Sequence, residues 1–75
     1  MNASKKQLVV CIKNKGHEAS LERRKIYQAL PDAQAARRDL IRVVDESGED
    51  YLYPDSYFVP IELPKAAVRA LVRAS

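Results

Sequence analysis

The feature that most constrains the fold is the segment of residues 51–61, which reads YLYPDSYFVPI. Two short runs of aromatic and apolar residues flank the turn Pro54-Asp55-Ser56. Proline fixes φ at a value that suits the start of a turn, whereas aromatic and β-branched residues favour strands. The segment therefore predicts a strand, a 3₁₀ turn and a second strand within eleven residues.

The sequence before this segment predicts three further strands. Residues 25–30 alternate polar and apolar residues with a period of two, which puts Tyr27 and Ala29 on one face. Gly48 lies in a turn between two strand-like runs, where a hairpin needs a residue with positive φ. The predicted strands are residues 7–13, 25–30, 39–45, 50–53 and 57–61.

Two short helices complete the prediction. Asp32 follows a proline and can cap a helical turn within residues 31–38, because its side chain accepts the free amides that begin the turn. Pro64 suits a first helical position, and the residues after it form a basic face (Lys65, Arg69, Arg73) opposite an apolar stripe (Ala67, Val68, Leu71, Val72). The expected organisation is a flexible N-terminus at 1–6, one β domain at 7–62, and a C-terminal helix or frayed tail at 63–75. Whether the stripe covers the domain or pairs with a second copy stays open.

This order of elements resembles that of an SH3-like barrel. The run Pro54-Asp55-Ser56-Tyr57-Phe58 is similar to the SH3 pattern in which proline, two polar residues and tyrosine precede an apolar residue of the last strand. By the same resemblance, residues 14–24, 31–38 and 46–49 correspond to the RT loop, the n-Src loop and the distal hairpin. The resemblance implies a mainly β fold, a five-stranded SH3-like barrel with a short C-terminal helix. Residues 42–64 also resemble small uncharacterised bacterial proteins, which implies no activity.

The SH3 resemblance implies a non-enzymatic protein-interaction module. Pro54 and Tyr57 would contribute to an aromatic groove for a polyproline II peptide. Other SH3 platforms are missing, since the chain contains no tryptophan. The spacing leaves open whether the tyrosines pack in the core or line the groove. We expect another protein as the partner, with a binding surface drawn from Leu52, Pro54, Tyr57, Tyr27 and Tyr51.

The alternative function is that of a small nucleic-acid-binding barrel. The net charge is +3 and the isoelectric point is about 9.2, which permits a basic surface without requiring one. Acidic residues gather around the predicted hairpin turn and would repel a nucleic-acid backbone there. The candidate basic patch consists of Arg23, Arg24, Lys25, Arg37, Arg38 and Arg42.

Catalytic, metal and cofactor motifs are not apparent in the sequence. Cys11 lies in an apolar run and predicts a small buried hydrophobe, and His17 is the one histidine, so an enzyme would depend on these two residues alone. The apolar run that contains Cys11 is too short to span a membrane. We expect a cytoplasmic protein without metal or cofactor, either a monomer or a weak homodimer.

Overall fold

The computed structural model describes residues 7–74, without the side chains of Val68 and of residues 71–74. All five predicted strands and both predicted helices are present, so the mainly β class is confirmed. The predicted N-terminal segment 1–6 and most of the predicted apolar stripe of the C-terminal helix lie outside this description. The elements are β1 (Gln7–Cys11), β2 (Ile26–Leu30), α1 (Ala33–Arg37), β3 (Leu40–Val44), β4 (Asp50–Pro54), a 3₁₀ turn (Asp55–Tyr57), β5 (Phe58–Ile61) and α2 (Lys65–Ala74).

The strands form one antiparallel sheet in the order β4-β3-β2-β1-β5. Consecutive strands β1 to β4 are neighbours, and the last strand returns to pair with the first. Among the described residues, β4 and β5 are the two edges of this sheet, so closure into a barrel is not confirmed. Each edge strand contains a proline, Pro54 at the end of β4 and Pro60 within β5.

The first strand is shorter than residues 7–13, which the sequence predicted. It ends at Cys11 because the next two residues leave the ladder. The amides of Ile12 and Lys13 both donate to the carbonyl of Tyr57, at 2.8 and 3.3 Å. The chain therefore bends toward the 3₁₀ turn at this point, and the long loop of residues 12–25 begins there.

The core lies on one face of the sheet. Tyr27 and Ala29 share one face of β2 as their alternation predicts, and the structure shows that this face is buried. Cys11 is the small buried hydrophobe that the sequence predicts. The buried cluster consists of Val9, Cys11, Leu21, Tyr27, Ala29, Val43, Tyr53 and Phe58. Every strand contributes to it, and the loop of residues 12–25 supplies one further member, Leu21.

Leu21 anchors this loop to the sheet. Its side chain is only 1% exposed although it belongs to no strand or helix. The Asn14 side-chain amide donates to the Leu21 carbonyl at 3.0 Å, and the Leu21 amide donates to the His17 carbonyl at 2.9 Å. Gly16 has a φ of +84°, which permits the tight turn between them. The loop is therefore a packed part of the domain.

Local chemistry sets the remaining connections. Asp32 caps α1 as predicted, because its Oδ1 accepts from the amide of Ala35 at 3.0 Å. Its Oδ2 accepts from Arg42 Nε at 2.9 Å, and Arg42 also pairs with Asp50 at 2.9 Å. The Ala35 amide and Arg42 hold the pKa of Asp32 below its usual range. Gly48 has the predicted positive φ, +85°, in the turn between β3 and β4.

Substitution of Leu21 tests whether the loop contributes to the core. Leu21→Ala removes a fully buried side chain and should lower the free energy of unfolding by about 2–5 kcal/mol. The matched control Leu52→Ala removes a side chain that is 42% exposed and should change it by less than about 0.5 kcal/mol. Denaturant unfolding followed by circular dichroism measures both. Equal small losses for the two variants would contradict the packing described for this loop.

Candidate interaction surfaces

A buried carboxylate organises the region where the predicted tyrosines lie. Asp45 follows β3 directly and is 6% exposed. Its Oδ1 accepts from the amide and hydroxyl of Ser47, at 2.9 and 2.6 Å, and its Oδ2 accepts from the hydroxyl of Tyr53. Ser20 Oγ lies 3.1 Å from the same hydroxyl. Burial raises the pKa of Asp45, but the hydrogen bonds outweigh it and the net pKa lies below its usual range.

A second polar cluster surrounds Tyr27. Its hydroxyl donates to Glu46 Oε2 at 2.6 Å and accepts from the amide of Glu22 at 2.7 Å. Lys25 Nζ lies 2.6 Å from the same Glu46 oxygen. Burial and the hydrogen bond with Glu46 raise the pKa of Tyr27, whereas the hydrogen bonds from Lys25 and Tyr27 lower the pKa of Glu46. The Tyr27 ring, predicted as part of a binding surface, lies in the core because it is on the same inward face of β2 as Ala29.

The 3₁₀ turn packs against the long loop. His17 stands edge-on to Tyr53, with 4.9 Å between ring centroids, and contacts Tyr57 at 6.1 Å. The Tyr57 hydroxyl donates to the carbonyl of Lys15 at 2.9 Å. Tyr57 is half-buried and packs against the core cluster. This residue therefore joins loop and turn, with only part of its ring open to a partner.

The predicted binding residues of β4 lie on opposite faces of that strand. Tyr51 and Tyr53 share one face, but Tyr51 is 50% exposed and Tyr53 is buried. Leu52 and Pro54 share the other face, and Leu52 is 42% exposed. The structure thus divides the five predicted residues between the core (Tyr27), the 3₁₀ turn (Tyr57) and the two faces of β4 (Tyr51; Leu52 and Pro54).

A second group of exposed apolar residues was not predicted as a binding surface. Ile12 and Val59 are 46% and 42% exposed. Val59 lies opposite Val10 across β5 and β1, and Val10 lies opposite Ile26 on β2. We call these residues the β1–β5 patch: Val10, Ile12, Ile26 and Val59. The sequence feature that could have predicted this patch is the unbroken apolar run of residues 8–12, which is typical of a strand with two apolar faces.

Two exposed arginines adjoin the β1–β5 patch. Arg23 and Arg24 line a surface pocket of about 300 Å³ together with Val10, Cys11 and Ile12. No carboxylate of the described residues forms an ion pair with either arginine. The patch is therefore apolar across three strands and cationic at one end.

The predicted basic patch is divided in the structure. Lys25 and Arg42 are both engaged in ion pairs with carboxylates. Arg23 and Arg24 precede β2, whereas Arg37 and Arg38 follow it at the end of α1. The six steps of extended chain between residues 25 and 31 span roughly 15–20 Å. The exposed cations thus form two pairs at opposite ends of β2.

The remaining pocket and the single cysteine have fewer groups available to bind a ligand or to react. A pocket of about 310 Å³ lies beside α1, where its polar lining includes the ion-paired Asp32 and Arg42. Burial raises the pKa of the Cys11 thiol, which favours the protonated form at neutral pH. Within residues 7–74, no group of three or more His, Cys, Asp or Glu side chains has an arrangement suited to a metal ion. In the same part of the chain, no helix combines the length and the apolar character needed to cross a membrane.

No protein family, curated protein or solved structure matches this chain in the comparisons. The resemblances to SH3-like domains and to small bacterial proteins therefore stay predictions.

The buried carboxylate of Asp45 should make the free energy of unfolding depend on pH in the acidic range. A carboxyl group whose pKa is lower in the folded than in the unfolded chain stabilises the fold at neutral pH. That contribution is lost as the pH falls from the unfolded value, about 3.9 for aspartate, through the folded value. Asp45→Asn should lower the free energy of unfolding at pH 7 by about 1–3 kcal/mol. The amide nitrogen of asparagine replaces one of the two acceptor oxygens, so either Ser47 or Tyr53 is left without an acceptor. The variant should also lose less stability than wild type between about pH 5 and pH 2.

Denaturant unfolding across this pH range measures both effects. The matched control is Asp55→Asn, which changes an exposed aspartate in the 3₁₀ turn and should alter stability by less than about 0.5 kcal/mol. An Asp45→Asn variant as stable as Asp55→Asn at pH 7 would contradict the role of the buried carboxylate.

Proposed function

We propose that this protein is a non-enzymatic protein-interaction module. The observation that carries the proposal is the exposure of four large apolar side chains, each between 42% and 50%, outside the buried core cluster. Tyr51 and Leu52 lie on the edge strand β4, whereas Ile12 and Val59 belong to the β1–β5 patch. Clustered apolar surface of this kind is typical of sites that bind other proteins.

The proposed module has the arrangement of an SH3-like barrel. Support comes from the strand order, in which β5 pairs with β1, and from the 3₁₀ turn that directly precedes β5. The long loop after β1 and the short hairpin between β3 and β4 also occupy the positions expected for an RT loop and a distal hairpin. The proposal includes closure of the sheet and a cytoplasmic setting, which the single buried cysteine favours.

The β1–β5 patch is the better supported of two candidate surfaces. Its aliphatic side chains are contiguous across three neighbouring strands. The surface that the sequence predicted, around Leu52, Pro54 and Tyr57, offers fewer free groups because Tyr57 is partly buried and hydrogen-bonded to the loop. The nucleic-acid alternative draws on Arg23, Arg24, Arg37 and Arg38, and the division of these cations into two pairs supports it less.

Selection from a random peptide display library tests the proposed function. We expect peptides that bind the immobilised domain with micromolar affinity, as measured afterwards by isothermal titration calorimetry. The Ile12→Thr/Val59→Thr variant should weaken binding about tenfold, because hydroxyl groups replace the ethyl group of Ile12 and a methyl group of Val59 that the peptide would cover. Leu52→Ala/Tyr57→Ala should have a smaller effect.

The possible results distinguish an error in the location of the binding site from an error in the proposed function. A larger loss for Leu52→Ala/Tyr57→Ala, with that variant shown by circular dichroism to be folded, would move the binding site to the surface predicted from the sequence while retaining the function. Failure to enrich any binding peptide, with the domain shown to be folded by circular dichroism, would contradict the proposed function itself.

A further inference from the structure

The two arginines beside the β1–β5 patch give it a chemical preference. Arg23 and Arg24 are exposed and have no ion-pair partner among the described residues, whereas Lys25 next to them is paired with Glu46. Arg23 lies close enough to the Cys11 thiol to lower its pKa, although burial of the thiol dominates. Both arginines line the same pocket as Val10 and Ile12. A partner that covers the aliphatic residues therefore meets two uncompensated positive charges.

The backbone of Arg24 is unusual for a residue with a long side chain. Its φ is +72°, in the left-handed region that glycine adopts without strain. The Arg24 amide donates to the Cys11 carbonyl at 2.7 Å, and the Cys11 amide donates to the Lys25 carbonyl at 2.9 Å. These bonds hold the residue in place beside β1. The fold thus presents an arginine side chain at a position whose backbone glycine would adopt with less strain.

The composition of the patch favours a polypeptide over a nucleic acid. The planar set of donors in a guanidinium group matches the oxygen atoms of carboxylates and of phosphates, so the arginines alone do not distinguish the two. Single-stranded nucleic acids, however, bind through aromatic side chains on which their bases stack. The β1–β5 patch consists of valines and isoleucines, whose shape and hydrophobicity match apolar side chains of another protein.

We propose that the β1–β5 patch binds an acidic amphipathic segment of a partner protein. Apolar side chains of that segment would cover Val10, Ile12, Ile26 and Val59, and its carboxylates would pair with Arg23 and Arg24. This inference rests on the proposed function and adds to it the chemical class of the partner. Charge complementarity at the end of the patch is the feature that selects this class.

Three peptide display libraries test the inference directly. All three encode Val, Ile, Leu or Phe at alternating positions, and the other positions encode Asp and Glu, Lys and Arg, or Ser, Thr and Gln. We expect enrichment from the acidic library, as well as weakening of the selected peptides by about tenfold in Arg23→Gln/Arg24→Gln, since two exposed ion pairs are lost. The matched control Arg37→Gln/Arg38→Gln makes the same change of net charge at the other end of β2 and should alter affinity less than twofold.

Each other outcome would overturn the inference. Equal enrichment from the neutral or basic library would reject an acidic partner and leave the interaction function standing. An equal loss of peptide affinity in Arg23→Gln/Arg24→Gln and Arg37→Gln/Arg38→Gln would show that the net charge of the domain matters and that contacts with Arg23 and Arg24 do not. Tighter binding of mixed-sequence oligonucleotides than of acidic peptides, lost in Arg23→Gln/Arg24→Gln and at high salt, would assign the arginines to nucleic acid instead.

A single substitution separates binding from folding. Arg24→Gly should leave the melting temperature equal to or above that of wild type, because glycine relieves the left-handed strain. The same variant should bind the selected acidic peptide about threefold or more weakly, since one charged contact is removed. Differential scanning calorimetry and titration calorimetry measure the two quantities. Unchanged peptide affinity in Arg24→Gly would contradict the contact assigned to this side chain.

Discussion

The buried carboxylate of Asp45 is the group on which the arrangement of this domain depends. A charge removed from water is tolerated only where hydrogen bonds replace the solvent, and here Ser47 and Tyr53 provide them. One of these donors belongs to the hairpin turn and the other to β4. Through Tyr53 the network also reaches Ser20 in the long loop. The pair Asp45–Tyr53 thus links the hairpin turn and β4 to the long loop, where Ser20 lies 33 residues before Tyr53.

The same region positions the proposed binding surface, although it lies apart from it. The Glu46 amide donates to the Ser20 carbonyl at 3.1 Å, and the Glu46 carboxylate binds both Tyr27 and Lys25. These bonds fasten the long loop at two points along its length. Because Arg23 and Arg24 lie in the last part of that loop, their place beside β1 follows from contacts made on the core side of the sheet. The contacts of the buried Tyr27 therefore help to position the exposed Arg23 and Arg24.

The sequence predicted those features that short-range chemistry controls. The Asp32 cap, the positive φ of Gly48 and the alternation of faces along β2 each depend on a few neighbouring residues, and all three are present. Exposure was harder to predict, because it depends on which strands become neighbours. Val59 is exposed although its neighbour Phe58 on the same edge strand is buried, and Tyr27 is buried whereas Tyr51 is exposed. The spacing of these residues in the sequence does not predict which of them are exposed.

The prolines of the edge strands have a consequence for behaviour at high concentration. An exposed strand edge beside apolar side chains is a template on which further copies of a chain can stack into fibrils. Pro60 interrupts the row of amide donors within β5, and Pro54 ends β4 in the same way. A second copy that approaches either edge therefore finds an incomplete set of donors. The two prolines thus disfavour strand-to-strand association at both edges of the described sheet, one of which carries the exposed Val59 of the proposed binding surface.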